Sequence, residues 1–212
     1  MKIGMLSQFR KHLKPFFLLF AQPFIALKIH PKWVTLLGIP FALLAAHAYM
    51  TQNWVAALLL VPLAGLWDAI DGTVARAQKK QSLWGNYFET MIDKVVEIII
   101  FIGLAFIAPI AAIAALGFGL LSSYAKPRAA LVIIMDNHDW PAIGEHADKF
   151  AILWVGTLFA AQGMQIINYT LWIIALIVII GTVQRMQYAK KLIASAEKKG
   201  NILPYLREGK ER

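Results

Sequence analysis

Apolar residues follow one another in six long runs along the chain, and short polar segments separate the runs. An α-helix needs about 20 mostly apolar residues to cross the hydrocarbon core of a bilayer. The pattern therefore predicts an all-α integral membrane protein with six transmembrane helices, at residues 33–50, 54–76, 83–108, 110–134, 147–161 and 167–183.

A shorter apolar run, PFFLLFAQPFIAL, precedes the first predicted span and follows a basic segment around Arg10. It contains Gln22 and Pro23 and is short for a span, so we expect an N-terminal amphipathic helix that lies in the membrane interface. The predicted organisation is a juxtamembrane segment at 1–28, a six-helix domain at 29–189 and a basic cytoplasmic tail at 190–212.

Charge is distributed unevenly among the loops of this basic chain, whose 21 Lys and Arg and 12 Asp and Glu give a formal net charge of +9. The loops near 52, 109 and 162–168 carry no charged residue, whereas the two termini and the loops at 78–82 and 136–149 carry nearly all of the charge. Basic loops lie on the cytoplasmic side of a membrane. We therefore predict a multi-pass protein of the cell membrane with both termini in the cytoplasm, and basic residues that meet lipid headgroups rather than nucleic acid. There are no cysteines, which excludes disulfides and thiolate chemistry.

Four carboxylates interrupt the second and third predicted spans: Asp68, Asp71, Glu89 and Asp93. Ionisable side chains within spans are costly and mark functional sites. Each pair is three or four residues apart and therefore shares a helix face. Opposed faces of this kind would form an oxygen-rich site for Mg²⁺ or Mn²⁺, and hence for a phosphate or pyrophosphate group. The alternative is a set of ion pairs with Arg76 or Lys94 inside the bundle.

The segment DAIDGTVARAQKKQSLWGNYFETMID, residues 68–93, resembles the signature DxxDGxxAR(x8)GxxxDxxxD of the CDP-alcohol phosphatidyltransferases. Every fixed position and gap agrees, except that Glu89 replaces the third Asp. The resemblance implies a membrane phospholipid synthase. Such an enzyme transfers a phosphatidyl or archaetidyl group from CDP-diacylglycerol or CDP-archaeol to an alcohol and releases CMP.

The resemblance also implies roles for individual residues. Mg²⁺ or Mn²⁺, as two ions, would be held by Asp68, Asp71, Glu89 and Asp93. Asp93 would in addition act as the general base toward the acceptor hydroxyl. The CDP part of the donor would contact Pro31, Gly72, Arg76 and Ser82. Glu97, one turn beyond Asp93, is not explained by the signature, and we interpret it as a buried partner of another side chain.

The segment SYAKPRA, from Ser123, resembles the SYxKxRAE segment of the family branch that makes phosphatidylinositol phosphate and archaetidylinositol phosphate. GEHADKFAI, from Gly144, and the Gln-Arg pair near the end of the last span are similar to other segments of that branch. The resemblance implies a phosphorylated polyol as acceptor, most of all inositol phosphate, and a homodimer. The acceptor phosphate would be bound by Lys126, Arg128, Lys149 and Arg185. A basic pair at the end of a span is equally typical of a topology signal.

Other functions remain open from the residues alone. Glycerol 3-phosphate also presents a phosphate and is the second candidate acceptor. Membrane prenyltransferases bind magnesium pyrophosphate through aspartates on helices, but they lack the Gly-x-x-Ala-Arg continuation. A transporter with a carboxylate ion site is the non-enzyme alternative, and the chain shows no inverted repeat of broken helices to favour it.

Overall fold

The computed structural model describes residues 17–134, 140 and 142–203, and in these residues it is helical apart from its turns and one isolated β-bridge between Ile133 and Ile202. The predicted all-α class is therefore confirmed for this part of the chain. The helices among the described residues are α1 (Phe17–Ala26), α2 (Pro31–Leu36), α3 (Gly38–Met50), α4 (Trp54–Ala77), α5 (Leu83–Ala105), α6 (Pro109–Ala130), α7 (His146–Ala161) and α8 (Ile167–Lys199).

Four helical segments among the described residues are long and apolar enough to cross a membrane: Pro31–Met50, Trp54–Ala77, Pro109–Ala130 and Ile167–Lys199. They correspond to the first, second, fourth and sixth predicted spans. The third, α5, is 23 residues long but carries four charged residues between Glu89 and Glu97, and the fifth, α7, has only 16 residues. Length and composition thus support four of the six predicted spans.

The N-terminal and C-terminal predictions are covered only in part. The apolar helix α1 occupies the segment predicted to be interfacial, while the basic residues before it lie outside the described residues. At the other end, α8 continues through residue 189, where we placed the start of the tail, and ends at Lys199 with Gly200 in the left-handed region (φ 71°). Residues 204–212 of the predicted tail also lie outside the described part.

The chain divides into two compact units, Met1–Gly103 and Leu104–Arg212. In the first unit, α2 and α3 pack on α4. A hydrophobic cluster of Ala21, Val34, Ile70 and Val74 joins α1, α2 and the second half of α4. The indole ring of Trp67 extends this cluster, with its centroid 5.9 Å from that of Phe24 and 5.5 Å from that of Phe41. This packing places the start of α2 beside the acidic part of α4.

A tight turn connects α4 to α5. Lys79 has φ 55°, and the Lys80 amide donates to the carbonyl of Ala75 at 2.9 Å, which closes the last turn of α4. At the start of α5 the Ser82 hydroxyl accepts a hydrogen bond from the Gly85 amide at 3.0 Å. Because the turn is short, the acids at the end of α4 lie near those at the start of α5.

Two glycines allow close helix packing in the first unit. Gly38 lies where an added Cβ would be 3.2 Å from both the Ala64 carbonyl oxygen and a methyl group of Val96. At Gly103 an added Cβ would lie 2.5 Å from the Cα and carbonyl oxygen of Ala46, so α5 meets the backbone of α3 directly. Only a residue without a side chain fits at this second contact.

We expect Gly103→Ala to lower the free energy of unfolding by about 1 to 3 kcal/mol, because the methyl group forces the α3 and α5 backbones apart. The measurement is the thermal unfolding midpoint in lipid nanodiscs, followed by tryptophan fluorescence. Gly65→Ala on α4 is the matched control, since no other helix among the described residues lies within 4 Å of its added Cβ. Alanine favours a helix by about 1 kcal/mol over glycine, so the control midpoint should stay or rise. Equal midpoints in the two variants would contradict the inferred contact.

In the second unit, α8 packs against α6 and α7. Gly156 of α7 contacts the Thr170 side chain, and Gly181 of α8 contacts the Ile143 carbonyl oxygen, both without room for a Cβ. The α7 N-terminus is closed by a capping box, in which the Asp148 carboxylate accepts from the Gly144 and Glu145 amides at 3.1 Å. These contacts hold α6, α7 and α8 together.

Candidate active site

Three of the four predicted metal ligands come together in the first unit. Asp68 and Asp71 lie one turn apart on α4, and Glu89 lies on α5. Each offers one carboxylate oxygen, and these oxygens all lie within 4.8 Å of one another. Three carboxylate oxygens at this separation are the donor set that Mg²⁺ and Mn²⁺ prefer. The added methylene of glutamate therefore does not keep Glu89 away from the two aspartates.

Asp71 provides a structural test of whether a metal fits. Its side chain is only 2% exposed, and within the described part of the chain neither of its carboxylate oxygens accepts a hydrogen bond. The hydroxyl of Thr35 lies beside it but donates to the Pro31 carbonyl at 3.3 Å. A buried carboxylate without partners is strongly unfavourable unless a cation compensates it. The residues present fit a divalent metal.

Ion pairing within the bundle does not account for these acids. Lys94 instead binds Glu97, with its Nζ 3.0 Å from Oε2, and the Glu97 side chain is fully buried. Arg76 donates from Nη2 to the Thr73 hydroxyl at 3.2 Å. In the described ranges no Lys or Arg nitrogen lies within 4.0 Å of a carboxylate oxygen of Asp68, Asp71, Glu89 or Asp93. Glu97 is a buried partner, as predicted, and the other four acids keep their oxygens for another cation.

Asp93 lies outside the group of three. It is one turn beyond Glu89 on α5 and close enough to Asp68 and Glu89 for electrostatic repulsion between the carboxylates. Its oxygens are not among those that lie within 4.8 Å of one another. This position beside the metal-binding group, rather than within it, suits a base that is not fully occupied by metal.

A cavity of about 350 Å³ opens next to these acids. Asp71 and Glu89 line it together with the four residues predicted to contact the CDP group, Pro31, Gly72, Arg76 and Ser82. An added Cβ at Gly72 would lie 3.4 Å from Nη1 of Arg76, so the glycine leaves space beside the guanidinium. The volume and the mixture of acidic, basic and aromatic walls are typical of a small-molecule site.

Several cavity residues were not predicted from the sequence. Lys80 and Lys32 add positive charge, and His30, Gln81 and Asn86 add hydrogen-bonding groups. Lys80 lies beyond the end of α4, after Lys79 with its positive φ, so helical spacing could not place it beside Arg76. Positive charge beside the three carboxylates allows the cavity to bind a metal and phosphate groups together.

Gln78 is a further residue that sequence reasoning missed. Its side-chain Nε2 donates to the Phe24 carbonyl at 3.2 Å and to the Ile29 carbonyl at 2.9 Å. Ile29 directly precedes His30 and Pro31, which line the cavity. Gln78 therefore ties the end of α4 to the connection between α1 and α2 and holds that wall of the cavity. No sequence pattern marks this role, because the residue lies in an ordinary polar turn.

We expect Gln78→Glu to raise KM for the CDP-linked lipid about tenfold while kcat changes much less. The carboxylate cannot donate to the two carbonyls, and losing such hydrogen bonds costs about 1 to 3 kcal/mol. The measurement is steady-state CMP release at varied donor concentration. Gln187→Glu, at an exposed position on α8, is the control for the added charge. Unchanged KM and kcat would show that these hydrogen bonds do not position the cavity wall.

The predicted acceptor-binding cations all lie in the second unit. Arg185 of α8 donates from Nη1 to the Ser122 carbonyl at 3.2 Å, and its Nη2 is 3.1 Å from Oε1 of Glu145. Lys149, in the first turn of α7, is only 2% exposed. Arg128 is exposed on the wall of a groove between α6 and α8, which Lys126, Lys149 and Arg185 do not line. Arg128 thus lines a groove that the other three do not, and the acceptor-binding role of all four stays a prediction.

The fold and the site together define a class, the helical membrane proteins with a carboxylate metal site beside a basic cavity. The chain belongs to the CDP-alcohol phosphatidyltransferase family, whose sequence pattern it matches over residues 28–184. It is therefore a membrane-bound phosphotransferase enzyme of phospholipid biosynthesis. The family membership that the sequence signature indicated is confirmed.

Relatives agree with this assignment, and solved structures share the fold. The chain is 27% identical to an archaetidylinositol phosphate synthase of Pyrococcus horikoshii, over 88% of this chain and 97% of that protein. It is 25% identical to a phosphatidylinositol phosphate synthase of Streptomyces avermitilis, over 90% and 86% of the two chains. The crystal structure of the Mycobacterium tuberculosis phosphatidylinositol phosphate synthase with CDP-DAG bound shares the fold, with a TM-score of 0.71, 22% identity and coverage of 82% and 92%. The same enzyme in complex with manganese and citrate has a TM-score of 0.71 and 21% identity, over 80% and 87% of the chains.

Proposed function

We propose that this protein transfers the phosphatidyl or archaetidyl group of a CDP-linked lipid to a hydroxyl of inositol phosphate and releases CMP. The observation that carries the proposal is the buried, unpartnered carboxylate of Asp71 beside Asp68 and Glu89, next to a basic cavity. The names of two relatives support the acceptor, since the Pyrococcus horikoshii protein is an archaetidylinositol phosphate synthase and the Streptomyces avermitilis protein is a phosphatidylinositol phosphate synthase.

Asp68, Asp71 and Glu89 would hold the divalent metal, with Asp93 beside them able to complete the set. A divalent metal bound there supplies positive charge to the pyrophosphate and makes its phosphorus more electrophilic. Mg²⁺ and Mn²⁺ both suit these oxygen ligands. The manganese complex of the Mycobacterium tuberculosis enzyme supports a divalent metal in this fold. Two ions, as the family resemblance implies, remain our expectation for this chain.

The residues of the cavity would orient the donor. Arg76 and Lys80 would pair with its phosphates, while Pro31, Gly72 and Ser82 would border its CDP part. Asp93 would take the proton of the acceptor hydroxyl. As that oxygen bonds to the lipid-side phosphorus, the bond from this phosphorus to the oxygen of CMP breaks, and CMP leaves with the electron pair. Direct transfer of this kind needs no protein nucleophile.

We further propose that all six predicted spans cross the membrane. Helix α5 has 23 residues and thus a length of about 35 Å, enough to cross if its acids face the cavity. Helix α7, at 16 residues, is short and would need local thinning of the bilayer. The basic loops support a cytoplasmic site and cytoplasmic termini. The domain limits 29–189 rest on the pattern of apolar runs, and the homodimer rests on the family resemblance.

The experiment that tests the function is CMP release by the protein in nanodiscs with Mg²⁺ or Mn²⁺. CDP-diacylglycerol and CDP-archaeol are offered as donors, and inositol phosphate, inositol, glycerol 3-phosphate and serine as acceptors. Release with inositol phosphate alone is the expected result. Release with glycerol 3-phosphate instead would name the other acceptor, and the absence of release with every acceptor would contradict the proposed activity.

The acceptor cations are tested in the same assay by Lys126→Gln, Lys149→Gln and Arg185→Gln. Each loss of a charge-assisted hydrogen bond to phosphate costs about 1.5 to 3 kcal/mol, so KM for inositol phosphate should rise roughly tenfold to a hundredfold. Lys198→Gln, near the end of α8, is the control for a lost surface charge. A cation whose replacement leaves KM for inositol phosphate unchanged does not bind the acceptor.

A further inference from the structure

A second cavity lies entirely in the second unit, as a groove of about 660 Å³ between α6 and α8. Its walls are mostly apolar, and four alanines, at 125, 129, 189 and 194, give it depth. The larger apolar side chains along the groove are Leu121 from α6, Val132 just after the end of α6, and Met186 and Ile193 from α8. Residues at these spacings share one face of each helix, so the groove runs along the C-terminal parts of α6 and α8.

Two cations line this apolar groove, Arg128 from α6 and Lys190 from α8. Both side chains are exposed, and in the part of the chain that the structure describes neither makes a hydrogen bond or an ion pair. Glu197 lines one end of the groove, and its carboxylate lies farther than 4.0 Å from both cations. The positive charges therefore remain available to a ligand, and the ligand's anionic part must lie away from Glu197.

Of the four predicted acceptor cations, only Arg128 lines the groove. Arg128 and Lys126 are two residues apart on α6, so their side chains leave the helix about 160° apart, on nearly opposite sides. Arg185, which contacts Ser122, does not line the groove, nor does Lys149. The two cations of the groove therefore form a pair to which Lys126, Lys149 and Arg185 do not contribute.

We propose that this groove binds an anionic membrane phospholipid, with the phosphate held by Arg128 and Lys190 and an acyl or isoprenoid chain lying along the apolar walls. Three observations support this occupant. The groove lies along the C-terminal parts of α6 and α8, both candidate membrane spans, next to the basic loop and tail that are predicted to meet lipid headgroups. Its walls match a hydrocarbon chain, and its two unpaired cations match a phosphate. Basic pockets between membrane helices are favoured sites for anionic headgroups.

Native mass spectrometry of the detergent-solubilised protein tests this, with phosphatidylglycerol as the anionic probe and phosphatidylcholine as the zwitterionic one. We expect wild-type protein to retain at least one phosphatidylglycerol and little phosphatidylcholine. The double variant Arg128→Gln/Lys190→Gln should lower phosphatidylglycerol affinity at least tenfold. Lys198→Gln/Lys199→Gln removes two cations from the same helix outside the groove and should leave it unchanged.

Filling and cross-linking the groove give independent results. Ala194→Trp occupies the apolar wall without changing charge and should also lower phosphatidylglycerol binding. Equal binding of both lipids, an unaffected double variant, or an equal loss in the Lys198/Lys199 control would each overturn the proposal. Because the chain has no cysteine, Ala194→Cys introduces a single thiol that can form a disulfide only with a second copy of the chain. Efficient formation of disulfide-linked dimers in nanodiscs would show that a second copy occupies the groove, and would overturn the lipid proposal.

Discussion

Asp93→Asn is expected to lower kcat for CMP release by about two to four orders of magnitude, the usual contribution of a general base. Asparagine keeps the size of the side chain but cannot accept the acceptor's proton. Because Asp93 lies beside the group formed by Asp68, Asp71 and Glu89 and not within it, the three-carboxylate site should survive the substitution. Binding of the CDP-linked lipid should therefore change much less than turnover.

The measurement combines kcat in nanodiscs with direct binding of the donor by scintillation proximity. Thr90→Ala is the control on α5, since its hydroxyl donates to the Asn86 carbonyl of its own helix at 2.9 Å and does not line the cavity. Undiminished turnover in Asp93→Asn would remove this residue from the role of base. If turnover and metal binding were lost in equal measure, Asp93 would act as a ligand instead.

Asp71→Asn is expected to lower metal affinity by at least about a hundredfold and to abolish turnover at ordinary metal concentrations. Replacing groups that merely orient a metal ligand already costs about tenfold to a hundredfold. The buried Asp71 carboxylate has no hydrogen-bond partner among the described residues, so its charge is available to the cation. Removing that charge also removes an unfavourable buried group, and the metal-free variant should unfold at a higher temperature than metal-free wild type.

Both readouts are needed to test the Asp71 assignment. Mn²⁺ binding is followed by electron paramagnetic resonance of the free ion, and unfolding by the thermal midpoint with and without metal. Glu197→Gln, an exposed carboxylate of α8, is the control for the metal titration. The metal-dependent rise of the midpoint should be present in wild type and absent in Asp71→Asn. An equal rise in both proteins would show that Asp71 does not hold the metal.

Helical periodicity was sufficient to pair Asp68 with Asp71 and to place Glu89 and Asp93 on one face of the next helix. Their common helix faces and the short turn after α4 are local properties, and so the sequence could predict them. The number of spans is confirmed only in part, with four of the six predicted spans supported among the described residues. Helix α5 carries Glu89 and Asp93, two of the acids of the site. Because of its charged residues, α5 is not among the helices that composition alone identifies as spans.

The positions of the remaining groups depend on contacts that are distant in sequence. Gln78 bonds to Phe24 and Ile29, some 50 residues earlier, and nothing local distinguishes it from its polar neighbours. Lys126 and Arg128 look equivalent as a basic pair, yet they leave α6 on opposite sides, and only the packing of α8 makes one side a groove. The same is true of Gly103, whose need to be glycine arises entirely from the backbone of Ala46.

The amino-acid sequence by itself determined the all-helical membrane class, the family and the four acids, because these follow from apolar run length and from the fixed spacing of residues on a helix. The tertiary structure decided that Asp71 is buried without a partner and that Asp93 lies outside the group of three. It also decided that Arg128 faces a separate groove. Burial and pairing depend on which helices meet, and that choice is made by packing across the whole unit rather than by any local stretch of sequence.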